Sequence, residues 1–323
     1  ALEWYDFFLY GTAAALVFGP LFFPVGGDPL QGTLLAFSGF AVGFLARPLG
    51  GIVFGHIGDR YSRKMTLIMT LTLMGATTFV IGLLPTYAQI GIWAPLALLL
   101  LRVIQGAAIG GEVPGAWVFV AEHVPERRIG LACGTLTSGL TIGILLGSLV
   151  ATAINRLYSP EELLDYAWRV PFLLGGVFGL LAVYLRRWLH ETPVFAELQL
   201  RKALAAELPL KTVLREHRSA IILSMLLTWL LSAGIVVLIL MTPTVLQTAY
   251  GFAPAQTLEA NSLAIVFLSL GCVLAGMLAD RFGAGRVFIL GSLLLAALTW
   301  SFYSNLKAHP DWLLPLYALT DLG

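Results

Sequence analysis

Residues 55–64 read GHIGDRYSRK, ten residues set between two long apolar stretches, and the fold turns on how they are read. Gly55 and Gly58 lack a β-carbon, which predicts close helix packing and a tight turn at this point. Asp59 is expected just before a new helix, where a carboxylate satisfies free N–H groups and meets the positive end of the helix dipole. Arg60, Arg63 and Lys64 place three cations within five residues, and at a membrane border such a cluster marks the cytoplasmic side. Taken alone, the stretch is equally a basic loop that only sets topology. A looser copy occupies residues 276–286, GMLADRFGAGR, with the same G-x-x-x-D-R pattern. Two copies with matching flanks argue for more than topology.

Of the 323 residues, 58% are hydrophobic and 11% charged, more oil than a soluble domain needs. Uncharged runs of about 20 residues are long enough to cross a hydrocarbon core of roughly 30 Å. They are too long and too continuous for the alternating strands of a membrane barrel. The expectation is an all-α polytopic membrane protein embedded in lipid. A net charge of +1 says nothing about partners by itself, its distribution along the chain being the informative part, and no nucleic-acid partner is expected. Cys133 and Cys272 sit in apolar runs without pairing or metal-ligand spacing and read as small core residues. No nucleophile elbow, phosphate loop or HExxH stretch occurs, and the five histidines are scattered. The sequence therefore predicts no enzyme, no cofactor and no metal. The chain starts at Ala1 and stops inside an apolar pattern, which reads as a fragment.

Helix 1 is expected over 1–23 with a kink at Gly19-Pro20, helix 2 over 30–57, helix 3 over 65–84 and helix 4 over 92–113. Helices 5 and 6 follow at 129–154 and 168–189, helices 7, 8 and 9 at 219–247, 257–279 and 287–305, and the chain ends within helix 10. Gly251 and Pro254 break an otherwise continuous apolar run. The charged stretch 190–218 reads as a cytoplasmic linker between an N-terminal six-helix bundle, 1–189, and an incomplete C-terminal bundle, 219–323. Loops after even-numbered helices hold fourteen of the nineteen lysines and arginines, so that side is cytoplasmic and the N-terminus with it. The two G-x-x-x-D-R stretches begin 221 residues apart, at Gly55 and Gly276, an internal repeat. Extended over a whole chain it predicts twelve helices in two halves, with a substrate site between them near the midplane.

Charges inside membrane helices are costly and need a reason, since each adds roughly 2.5–3.5 kcal/mol at the centre by insertion scales. Glu3 and Asp6 share one face of helix 1. Arg47 lies at a depth similar to Asp6, about 25–27 Å from the outer ends of their helices. A helix 1 carboxylate paired with Arg47 is either a structural staple or a proton-sensitive switch. Arg102 falls near the midplane, where a guanidinium needs an anion, a carboxylate or water, and Gln105 on the same face is placed to touch substrate. Glu112 is level with Arg60, Arg63 and Lys64 and is expected to close an ionic gate with one of them, the plainer alternative being a solvated carboxylate. The helix 5 stripe Gly139, Gly143 and Gly147 reads as packing. Tyr5 and Tyr10 on helix 1, and Thr228, Trp229 and Ser232 on helix 7, are candidates to line a cavity.

With these residues in hand, the chain resembles the major facilitator superfamily, and within it the metabolite:proton symporters. GHIGDRYSRK looks like the superfamily signature between helices 2 and 3, with Ser62 where glycine is usual, and RVIQGAAIGGE (102–112) resembles the helix 4 motif. EWYDFFLYG, FLARPLGG, WRVPFLL and HETPVF narrow the likeness. The resemblance implies alternating access by two six-helix bundles, here truncated to about ten helices, in the inner membrane of a bacterium. It implies symport of a small organic acid with protons, or of a zwitterion such as proline or betaine. A drug:proton antiporter is disfavoured by EWYDF, and a non-transporting membrane sensor by the lack of a soluble domain. By the same resemblance Asp59 belongs to a cytoplasmic gate, joined in the second copy by Asp280 and Arg281. Glu3, Asp6, Arg47 and Arg102 are then coupling residues, and the protein works as a monomer.

Overall fold

In a hydrocarbon core every backbone amide must find its partner inside the chain, and helices accomplish this within a single segment. The computed structural model describes residues 1–24, 29–200, 214–306 and 313–322, and among them there is no strand. The first helix, α1 (Leu2–Ala13), runs through a π-helical turn, Ala14–Phe18, into Gly19–Phe22. There follow α2 (Pro29–Arg60), α3 (Arg63–Leu83), α4 (Trp93–His123), α5 (Ile129–Leu157) and α6 (Arg169–Arg186). A short helix, Pro193–Leu200, precedes α7 (Arg218–Ile235), which continues through a π-helical turn, Val236–Met241, into Thr242–Tyr250. The described chain closes with α8 (Pro254–Phe282), α9 (Ala284–Asn305) and α10 (Leu313–Leu322). Among the described residues eight helices, α2 to α9, are long and apolar enough to cross a membrane.

Several boundaries depart from the sequence reading, each for a local reason. The kink expected at Gly19-Pro20 takes the form of a π-helical turn just before it. Proline brings no N–H to the ladder, and the wider turn redistributes the neighbouring carbonyls. A matching π-helical turn precedes Pro243 in α7. Helix α4 runs ten residues past Val113, straight through Pro114, as membrane helices tolerate. The polar loop expected from Asn155 contains a short helix, Pro160–Glu162, opened by a reciprocal cap between Ser159 and Glu162. Gly251 does end its helix, with φ of 75° in the left-handed region where glycine is free of strain. Arg201, Lys202 and Lys211 of the expected linker, and Lys307, lie outside the described residues.

The residues that opened the sequence reading need the largest revision. Helix α2 continues through Gly55 and Gly58 to Arg60, so Asp59 lies in its last turn rather than ahead of α3. The α3 cap is Ser62, whose hydroxyl accepts the N–H of Met65 at 2.9 Å. Nor do these glycines bring helices together. A methyl at Gly55 would meet nothing, and one at Gly58 would make ordinary contact with Thr66. Close packing is found one to three turns earlier. There a methyl on Gly106 would overlap the Gly43 backbone, one on Gly110 the Arg47 backbone, and one on Gly50 the Ala107 backbone. The small residues of FLARPLGG and QGAAIGG thus bring α2 and α4 into backbone contact.

The chain divides into two compact units, one of Ala1–His123 with Leu146–Glu207 and one of Val124–Leu145 with Leu208–Gly323. In the first, Tyr5, Leu9, Tyr10, Phe18, Phe22, Leu98, Trp168 and Phe172 form the main core. Gly75 of α3 meets Gly179 of α6 with almost no space for a side chain, and Arg169 closes the end of α3 by donating to the carbonyls of Gly82 and Leu84 at 2.9 and 2.7 Å. In the second unit, Leu246, Ala260, Ala264, Phe302 and Tyr317 pack together. The first half of α5 joins this unit through Gly130 and Gly134, which face the backbones of Gly276 and Cys272. The expected α5 stripe is only partly a packing feature: Gly147 touches Phe8 and Tyr5, whereas Gly139 faces open space.

Candidate functional site

The first unit holds a buried polar cluster where α1, α3 and α4 meet. Arg102, 5% exposed, donates through one terminal nitrogen to Asp6 at 3.1 Å and to Gln105, its neighbour one turn on. Thr78 of α3 donates to the other Asp6 oxygen at 2.9 Å and accepts from the Gln105 amide at 2.7 Å. Asp6, Gln105 and Thr78 are fully buried. The Tyr10 ring lies 3.9 Å beneath the Arg102 guanidinium, with Phe40 at 5.6 Å. Tyr10 is held by a hydrogen bond to the Ala36 carbonyl at 3.3 Å, and Tyr5 by one to Pro171 at 2.9 Å. Arg102 Nε finds no partner among the described residues. A cation placed over an aromatic face and beside a single carboxylate is held without being saturated.

Arg47 pairs with a helix 1 carboxylate, as expected, and the carboxylate is Glu3, at 3.6 Å. Asp6, the other candidate, goes to Arg102 instead. The reason is geometric. Backbone contact between α2 and α4 sets the two guanidinium groups at different levels along α1, and residues three apart on α1 reach one each.

At the opposite end of α4 from Trp93, the charges are arranged otherwise than expected. Glu112 pairs with Arg186 of α6 at 2.9 Å, and not with Arg60, Arg63 or Lys64. Arg186 also donates to the Leu67 carbonyl, so it bridges α3 and α4. Arg63 is held by Glu122, two turns beyond Pro114, and stands 3.7 Å from Asp59. Lys64 donates to the Arg187 carbonyl at 3.0 Å, and Arg60 is exposed. Glu191 of HETPVF accepts from the Ser62 hydroxyl and the Lys64 N–H, which docks the segment after α6 onto the start of α3.

In the second unit Asp280 accepts the Gly130 and Leu131 N–H groups at 2.6 and 2.8 Å. It thus caps the first turn of α5, the role expected of Asp59 at α3. Arg281 is exposed, and so are Thr228, Trp229 and Ser232, the α7 candidates for cavity lining. Thr78, Glu122, Arg186 and Glu191 were not singled out from sequence. The run TLTLMGATT, with threonines on an uncharged apolar helix, was the available sign of Thr78. Glu122, Arg186 and Glu191 carried no sign beyond their charge.

These features can be set beside known proteins. A family model described as Major Facilitator Superfamily matches residues 5–323. The shikimate transporter of Escherichia coli (strain K12) is 37% identical over 324 residues, covering 95% of this chain and 70% of that protein. The proline/betaine transporter of Salmonella typhimurium is 36% identical over 310 residues, 92% of this chain and 61% of its own length. Among solved structures the proton:xylose symporter XylE, bound to 6-bromo-6-deoxy-D-glucose, is similar with a TM-score of 0.71 at 19% identity, covering 99% of this chain and 77% of that one. These relatives are transporters rather than enzymes, and two of them are of the organic-acid and proline/betaine types to which EWYDFFLYG and HETPVF pointed. By its helices, its motifs and a match over nearly its whole length, the chain belongs to the Major Facilitator Superfamily.

Proposed function

We propose that the protein is a secondary transporter of the inner membrane that imports a small organic acid together with protons, by alternating access. The observation that carries this reading is the fully buried Asp6 bonded to Arg102, with Thr78 and Gln105 closing the ring. A buried ion pair whose carboxylate takes up a proton loses its attraction, and the guanidinium is left in need of another anion. A substrate carboxylate supplies one. Protonation of Asp6 and binding of an acid at Arg102 then favour one another, which is the thermodynamic content of symport.

The relatives' names leave open a zwitterion such as betaine, whose ammonium group would call for free aromatic faces. Here those faces are taken: Tyr10 and Phe40 lie against Arg102, and Phe44 lies 4.4 Å from Arg47. That arrangement favours the anion. Asp59, Arg63 and Glu122, with Glu112–Arg186 and Ser62–Glu191, serve in this reading as the inner latch. Gly55, Gly58, Arg60 and Lys64 flank it, and Asp280 and Arg281 mark the corresponding place in the second half.

The test is uptake of radiolabelled shikimate, other organic acids and betaine into proteoliposomes under an imposed proton gradient. Accumulation of an acid that is abolished by Asp6→Asn supports the proposal. Undiminished gradient-driven accumulation in that variant overturns the role of Asp6, and transport of betaine in preference to every acid overturns the substrate class.

A further inference from the structure

Three glutamates, Glu3, Glu112 and Glu122, hold their ion pairs through one oxygen and leave the other buried without a partner among the described residues; Glu122 stands apart from the other two, at Arg63. Glu3 reaches Arg47 and Glu112 reaches Arg186 through one oxygen each, and Oε2 of both is buried with no hydrogen-bond partner among the described residues. Glu3 is 5% exposed and Glu112 7%. An ionised carboxylate has about four acceptor positions, and a buried oxygen that accepts nothing carries the full desolvation penalty. A proton on that oxygen lowers the penalty, because a neutral acid is far less costly to bury than a carboxylate.

The placement of Asp6, Glu3 and Glu112 forms a sequence. Asp6 and Glu3 lie on one face of α1, a turn apart, and pair with Arg102 and Arg47 respectively. Arg47 packs backbone to backbone at Gly110, two residues before Glu112 on α4. The series Asp6, Glu3, Glu112 therefore descends from the level of Arg102 to the end of α6, where Arg186 stands. The charged groups facing this path are Arg47 from α2, Arg102 from α4 and Arg186 from α6.

We propose that Glu3 and Glu112 form a second proton station, which takes the proton released by Asp6 and passes it to water at the inner face. The inference rests on the reading of Asp6 as the coupling acid. In the transfer the O–H bond at Asp6 breaks as one forms at the free oxygen of Glu3. The proton moves next to the free oxygen of Glu112 and from there to a water molecule, which leaves as hydronium. Each carboxylate is restored and no electrons change hands.

The test is pH-difference infrared spectroscopy of the full-length protein in lipid vesicles, which reads the carbonyl stretch of protonated acids and needs no substrate. Glu3→Gln and Glu112→Gln should each remove a protonated-carboxyl band, while Asp6→Asn leaves that band in place. Glu3→Asp, which keeps the acid and guards against a folding defect, should retain the band at a shifted frequency. Persistence of every band in both Gln variants overturns the station, as does loss of the band in a folded Glu3→Asp chain. Either result leaves the role of Asp6 standing if Asp6→Asn still abolishes gradient-driven uptake. Full accumulation by Asp6→Asn would instead remove the reading on which the station depends.

Discussion

Arg102 has five N–H donors, yet one carboxylate and one amide oxygen take up its described hydrogen bonds. Lysine keeps the charge at such a site and loses the planar fork that stacks on Tyr10. Arg102→Lys should therefore weaken binding of a transported acid at least tenfold, about 1.4 kcal/mol, in equilibrium binding to the purified protein. Unchanged affinity would assign Arg102 to packing. Thr78 is the hinge of the ring, donor to Asp6 and acceptor from Gln105. Thr78→Val leaves both without that partner and should cost about 1–3 kcal/mol of stability. It should also slow gradient-driven uptake severalfold, and thermal unfolding together with initial rates measures the pair of effects. Depth along the helix axis, read from sequence, was enough to bring Asp6 and Arg102 under suspicion. It was not enough to pair them, because partner choice depends on the levels at which the α2–α4 contact sets Arg47 and Arg102 along α1, which spacing along one helix does not encode.

At the scale of elements, glycine means two different things in this chain. Gly106 faces the Gly43 backbone with no space for a methyl group, whereas Gly55 faces open space. Gly106→Ala should destabilise the protein by roughly 1–3 kcal/mol through overpacking. Gly55→Ala should be neutral or stabilise α2 by up to about 1 kcal/mol, since alanine is the better helix former. Thermal unfolding in detergent decides both, and a large loss at Gly55 would mean that it packs after all. The positions of the helices were legible in the hydrophobic runs, and Gly251 and Pro254 marked a true break. Their ends were less so. GHIGDRYSRK looks like a loop by composition, but α2 carries on through both glycines to Arg60 and its amide ladder ends only there. The turn shrinks to Tyr61 and Ser62 as a result. Ser62, the residue that departs from the resemblance, does the capping that Asp59 was expected to do.

For the whole molecule, the asymmetric placement of lysine and arginine predicts which end faces the cytoplasm. Tyr61, 60% exposed, and Gln89, also exposed, lie at opposite ends of α3. In a chain with Cys133 and Cys272 replaced by serine, Tyr61→Cys should react with a membrane-impermeant maleimide only when the cytoplasmic face is accessible. Gln89→Cys should react only from outside. The reverse pattern would invert the topology and, with it, the direction assigned to the proton path.

Where α2 and α4 touch, hydrogen atoms rather than side chains set their separation, so these two helices behave as one plank. Arg47 and Arg102 are both bolted to it, while Glu3 and Asp6 ride together on α1. A rigid shift of α1 along the plank is therefore expected to act on both links together rather than on one alone.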